Sequence, residues 1–175
     1  NRTSAQPYSG MLTDTHAHLD FPDFADDLDA VLVRAAAAGV TRILSIGTSV
    51  ESSRRAVALA EKYPQVFAVI GVHPNSADEV SEGFMDELRT LAKSPRVVAI
   101  GETGLDYHRL PSARMLEPAP AWLAEMPLND PREPEAAIHD GAVKSAQAIV
   151  FEQQLDLAAE LGLNLAPIGQ LVARQ

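Results

Sequence analysis

Four short apolar runs, each closing on a polar or ionisable side chain and separated by helix-period segments, constrain this chain more than any other feature. The runs are MLT (11–13), RILSIG (42–47), VFAVIGV (66–72) and VVAIG (97–101). Rich in Val and Ile and bounded by turn residues, they predict strands buried on both faces, as in a parallel sheet. Leu28, Val31, Leu32 and Ala35 recur at i, i+3, i+4 and i+7, one face of a helix that Gly39 is placed to end. A second helix is predicted to begin at Thr48, with Glu51 three residues on as a capping box, a stripe of Ala56, Leu59, Ala60 and Tyr63, and Pro64 as its stop. A third opens near Ser81, buries Phe84, Leu88 and Leu91, and closes before Pro95. The order β-α-β-α-β-α-β with right-handed crossovers is that of a parallel α/β sheet, open or closed.

The pattern breaks from Arg109 to about Lys144. Prolines at 111, 118, 120, 127, 131 and 134 argue against a continuous helix or an inner strand there. That span is predicted to be a surface excursion, with a helical turn around Trp122–Met126. Periodicity returns in AQAIVFEQQLDLAAELG (146–162), where Val150, Phe151, Leu155, Ala158 and Leu161 form an apolar face closed by Gly162. The last stretch, LNLAPIGQLVARQ, is the place for a fifth strand, in which Pro167 would sit badly if the strand were central.

Chain length and a 46 % hydrophobic content suit one folded domain with a sizeable core. The sequence contains no cysteine, so metal ligands have to be His, Asp or Glu, and cytoplasm is the default location. A net charge of −10 argues against holding nucleic acid by electrostatics alone. It leaves room for an enzyme that meets phosphate through bound cations. No stretch approaches the ~18 apolar residues of a membrane span. Residues 1–10, NRTSAQPYSG, read as a leader, tag or upstream read-through before a natural start at Met11.

The polar residues fall at the strand ends. His16 and His18, in TDTHAHLD, follow the first strand, Thr48 the second, His73 in GVHP the third, and Glu102 in GETGLD the fourth, with Asp106 close behind. Side chains alternate along a strand, so His16 and His18 would share a face and form a usable half of a metal site, if other ligands arrive at the same place. In parallel α/β folds this C-terminal edge is where ligands bind. Blander roles exist for each. His73 alone reads as a hydrogen-bonded loop residue, Glu102 as a cap, Thr48 as a helix cap, and Asp14 and Asp20 as anchors of the turn around the histidines. Asp23, Asp26, Asp27 and Asp29 suit a helix start, and His108 and His139 are expected in solvent. The His16/His18 pair resists such dismissal, because two adjacent imidazoles repel when protonated and are costly to bury without a cation. With Glu102 from the same edge they suit Zn²⁺, Mn²⁺, Co²⁺ or Ni²⁺.

In order, DTHAHLDFPDF, ILSIGT, VFAVIGVHP, VVAIGETGLDYH and FEQQLDLAAELGLN resemble the N-terminal portion of the TatD family of metal-dependent deoxyribonucleases, amidohydrolase-like TIM barrels. The resemblance covers residues 11–108 and roughly 147–164. It implies the first four to five βα units of a (β/α)8 barrel, with the proline-rich insertion (109–144) after strand 4. It also implies one or two divalent cations, Mg²⁺, Mn²⁺ or Zn²⁺, at the C-terminal face. His16, His18 and Glu102 would be metal ligands, with Glu102 bridging two metals, and His73 would lie beside them toward substrate. The chemistry implied is hydrolysis of DNA phosphodiesters, single-stranded or at ends, by cation-acidified water.

The chain departs from the family pattern in length, since a barrel takes about 250 residues. NLAPIGQLVARQ has no histidine where the family carries one after the LGLN helix, and later His and Asp ligands would lie past Gln175. Three readings follow: a truncated nuclease, a half-barrel completed by homodimerisation, or an inactive binding module. A related amidohydrolase-like enzyme acting on an ester, amide or lactone is the alternative reaction class.

Overall fold

The computed structural model describes residues 11–108, 110 and 133–168 of the chain, the first five of the last segment as backbone. Its regular elements in chain order are β1 (Leu12–Ala17), α1 (Leu28–Ala37), β2 (Val40–Ile46), α2 (Val50–Lys62), β3 (Val66–Ile70), α3 (Phe84–Leu91), β4 (Val97–Thr103), α4 (Glu133–Leu161) and β5 (Asn164–Pro167). Single 3-10 turns at Pro22–Phe24 and Pro74–Ser76 follow the ends of β1 and β3.

All strand pairs are parallel, and the sheet order is β1-β2-β3-β4-β5. Sequential order matters. A doubly wound sheet reverses direction at a switch point, whereas a singly wound one keeps its crossovers on one side and curls toward a barrel. The fold is a partial TIM barrel.

The helices cover one face of the sheet, where Ile43, Ala68, Ile70 and Ile100 pack with Leu32, Ala56, Leu88 and Leu157. Leu88, fully buried, contributes about 1.5–3 kcal/mol relative to an exposed position. On the opposite face Ile46, Val69 and Ala99 form a smaller apolar layer, and Ile46↔Val69↔Ala99 are register partners across three strands. Alternation along β3 therefore sends Ala68 and Ile70 to the helices and Val69 to the concave side.

The expectation of strands buried on both faces holds for β3 and β4 but not for β1, which is exposed from Leu12 to His16. As an edge strand, β1 has a neighbour on one side only. A fifth strand does form, short and at the other edge. Pro167 is its last residue, where a missing N–H interrupts no central ladder.

The excursion is shorter than expected. α4 begins at Glu133, so residues 133–144 are helical and belong to no irregular surface loop. Pro134 falls in the first turn, where backbone N–H groups need no intrahelical partner, and no proline follows until 167. Ile138, His139 and Lys144 on these first turns are exposed, and burial starts at Gln147. Apolar periodicity thus marks where the helix meets the sheet, not where it starts. The predicted turn at Trp122–Met126 lies outside the described residues. Among the described residues no helix is long and apolar enough to cross a membrane.

Candidate metal centre

β1 presents His16 at its penultimate position and His18 just past its end. The turn between them is set locally: the Asp14 carboxylate accepts from the His16 backbone N–H at 3.0 Å. The expected anchoring role of Asp14 is what is found. His18 is fixed more firmly. Its Nδ1 lies 2.9 Å from the Ile46 carbonyl at the end of β2, a contact that requires the hydrogen on Nδ1. Phe21 stacks on the same ring with centroids 4.8 Å apart and planes 15° from parallel. Nε2 of His18 consequently presents its lone pair away from Ile46, toward His16 and Glu102.

Nε2 of His16 is 3.3 Å from Nε2 of His18, and the Glu102 carboxylate comes within 3.6 Å of the first and 3.9 Å of the second. In a flat sheet β1 and β4, three spacings apart, would be separated by about 14 Å. Their side chains meet because the sheet curls. The backbone reports the same curvature, since the Glu102 N–H donates to the Gly47 carbonyl at the end of β2 at 3.2 Å. The Gly101–Glu102 peptide is cis.

These three side chains can each direct one ligand atom to a common point, with all three atoms within 4.8 Å of one another. Two imidazole nitrogens bound tetrahedrally at about 2.0–2.1 Å would stand about 3.3–3.4 Å apart, the separation seen here. The carboxylate is a few tenths of an ångström wider than that. The donor set fits a divalent cation.

A cleft of about 340 Å³ surrounds the cluster, lined by His16, His18, Thr48, His73, Asn75, Ser76 and Glu102. These residues come from the ends of four successive strands. None is Lys or Arg. His73 is positioned by its own N–H, which donates to the Thr48 carbonyl at 2.9 Å. Its Nδ1 accepts from the Asn75 N–H at 3.0 Å, which places the neutral ring's hydrogen on Nε2. The structure therefore brings together the expected His16, His18 and Glu102, with His73 across the same cleft.

Thr48 is not the helix cap. Ser49 caps α2, its hydroxyl accepting from the Ser52 N–H, and Thr48 faces the cleft one residue earlier. Asp20 does not anchor the histidine turn; its carboxylate turns to α2, where it accepts from the Ser52 hydroxyl at 2.7 Å and from Arg55 at 3.1 Å. Asp106 is buried outside the cleft and accepts from the His108 N–H. His108 and His139 are exposed, as expected.

Asn75 and Ser76 escaped the sequence reading, although HPNS directly follows an apolar strand as the other site residues do. Gln147 and Gln154 also escaped it, because a polar residue inside an amphipathic helix reads as its solvated face. Both are buried, and both use their side-chain amides to bond the backbone of loops beyond the strands.

A singly wound parallel sheet carrying a two-histidine, one-carboxylate cluster at its C-terminal edge defines a TIM-barrel-type protein with a candidate divalent-metal centre. The sequence matches the family described as TatD related DNase over residues 13–166, and the chain belongs to that family. It is 41 % identical over 150 residues to the 3'-5' ssDNA/RNA exonuclease TatD of Enterobacter lignolyticus, covering 86 % of this chain and 46 % of the relative. It is 42 % identical over 155 residues to the uncharacterized metal-dependent hydrolase YabD of Bacillus subtilis, covering 89 % and 49 %. The crystal structure of YjjV, a TatD homolog from Escherichia coli K12, superposes with a TM-score of 0.63 at 30 % identity, over 88 % of this chain and 49 % of that one. The chain spans about half the length of the curated relatives it matches.

Proposed function

We propose that this chain carries the N-terminal part of a divalent-metal-dependent hydrolase acting on nucleic-acid phosphodiesters, with His16, His18 and Glu102 as metal ligands. The carrying observation is the convergence of two imidazoles from the end of β1 and a carboxylate from β4 within 3.3–3.9 Å, in a cleft whose lining among the described residues contains no Lys or Arg. A cation held at the cluster would be the largest local positive charge available to an anionic substrate entering this cleft. A bound divalent cation supplies Lewis acidity toward phosphoryl oxygens and water. The exonuclease activity named for the Enterobacter relative makes single-stranded nucleic acid the substrate to try first.

The chain's own residues then have separable tasks. Ile46 orients His18 through its carbonyl, so that ring offers a lone pair at Nε2 without needing to rotate. Asp14 sets the backbone of His16. Glu102 brings the negative charge that offsets a cation and is the residue able to share it between two. His73, whose Nδ1 accepts from the Asn75 N–H, lines the same cleft and is assigned to contact with substrate. A second copy that completes the barrel would add its own side chains to this edge. A solution mass twice 18.7 kDa would identify the homodimer.

The test is degradation of 3'- and 5'-labelled single-stranded DNA by the purified chain with Mn²⁺, Mg²⁺ or Zn²⁺. Turnover that His16→Ala and Glu102→Ala abolish is the expected result. Turnover that survives both substitutions would remove these residues from the chemistry. Metal uptake without turnover would identify an inactive metal-binding module.

A further inference from the structure

Two site residues, His73 past the end of β3 and Glu102 near the end of β4, lie beyond Ile70↔Ile100, the last register pair between those strands. Val72, immediately before His73, has both of its backbone groups bonded to one side chain. Gln154 Oε1 accepts from the Val72 N–H at 2.8 Å, and Gln154 Nε2 donates to the Val72 carbonyl at 3.0 Å. The same Nε2 donates at 2.7 Å to the hydroxyl of Thr103, immediately after Glu102. Gln154 is fully buried on α4, and so is Thr103.

The amide thus replaces the strand partner that Val72 lacks and extends the bridge to β4. Only glycine tolerates the approach. A Cβ on Gly71 would come 2.5 Å from Gln154 Oε1 and equally close to the Gly101 carbonyl. An apolar residue of similar size would fill the same space but leave the Val72 N–H and C=O unsatisfied.

We propose that Gln154 is a positioning residue whose side-chain amide fixes the separation between the backbone carrying His73 and the backbone carrying Glu102. Through Glu102 it sets the geometry of the metal centre. This rests on the reading of His16, His18 and Glu102 as ligands. Gln147 is the internal control. It is buried on the same helix and bonds both backbone groups of Asp106 in the same way, at 2.9 and 3.0 Å, but Asp106 does not line the cleft.

The experiment compares Gln154→Leu with Gln147→Leu in the full 175-residue chain, reading Mn²⁺ affinity by calorimetry, Val72 amide exchange and the His73 ring resonances. Gln154→Leu should bind Mn²⁺ at least about tenfold more weakly, as loss of a ligand-orienting partner does, and expose the Val72 amide to exchange. Gln147→Leu should keep the parent affinity. Unchanged affinity in Gln154→Leu, or equal losses in both variants, would overturn the proposal. If Gln154→Leu does not fold, Thr103→Val decides, with a smaller loss that Thr103→Ser restores; no loss would refute it. A parent chain that takes up no Mn²⁺ contradicts the metal reading instead. Val72 exchange and the His73 resonances then judge the strut alone, and their insensitivity to Gln154→Leu would overturn it.

Discussion

At the N-terminal edge of the sheet Arg96 spreads its guanidinium over the Phe67 ring at 4.1 Å and donates to the carbonyls of Ala60, Pro64 and Val66. It closes the end of α2 and the start of β3 with partners from the chain itself. At the C-terminal edge His16, His18 and Glu102 converge as closely, yet they point ligand atoms at one another rather than at backbone acceptors. A cation at a helix C-terminus satisfies orphan carbonyls and contributes stability. A cluster of lone pairs and one carboxylate gains most when an outside charge enters it. The same sheet therefore satisfies one edge from its own chain and gathers at the other the side chains proposed to take a ligand, the division expected of parallel barrels.

This contrast can be broken by substitution, and the largest expected effect is at the C-terminal edge. Glu102→Ala or His18→Ala should weaken Mn²⁺ binding by at least about 100-fold, since loss of an outer-shell partner alone costs 10–100-fold. Thermal stability of the metal-free Glu102→Ala chain should stay close to the parent value, whereas His18→Ala also removes the bond to Ile46 and the stack on Phe21 and should cost about 1–2 kcal/mol. A matched fall in the melting temperature of Glu102→Ala would erase the distinction between the two edges.

Arg96→Ala should do the reverse. Loss of charge-assisted hydrogen bonds and of the cation–π contact should destabilise the fold by about 2–3 kcal/mol in denaturant titration, with Mn²⁺ affinity unchanged.

Ser52→Ala falls between them. The Ser52 hydroxyl donates to Asp20 and accepts from the Thr48 N–H at the cleft wall, while Asp20 Oδ1 is buried with no hydrogen-bond partner among the described residues. Removing the hydroxyl should cost about 1–2 kcal/mol and weaken metal binding only modestly.

The smallest effect belongs to neither edge. Hydrogen bonds from the Arg89 guanidinium hold the exposed Glu160 carboxyl below its ordinary range. A depressed carboxylate contributes stability that is fully present above its unfolded pKa and is lost as pH falls through its folded one. The melting-temperature gap between the parent and Glu160→Gln should therefore be small near neutrality. It should close in acid and shrink in about 1 M salt.

Much of this was legible in the sequence. Val/Ile runs ending in His, Thr, His and Glu indicate the alternation of parallel strands with helices and put the chemistry at one edge, because side-chain alternation and chain direction are local properties. The closure of β1 on β4 was not local. It depends on sheet curl, which the residues near His16 do not encode, and it entered through the TatD resemblance. Thr48 was mistaken for the cap because Ser49 beside it competes for the same role with equal chemistry. Proline density hid the start of α4, since a proline in a first turn does not oppose a helix. Gln147 and Gln154 were invisible because burial of an amide is decided by its tertiary partners, here the backbones of Asp106 and Val72.

The proposed metal centre requires one cation shared by β1 and β4. Anomalous scattering from crystals grown with Zn²⁺ addresses it directly. The expected map has a peak bonded to His16 Nε2, His18 Nε2 and a Glu102 oxygen at about 2.0–2.2 Å. Zinc bound elsewhere on the chain, or a peak that the Glu102 carboxylate does not reach, would contradict it.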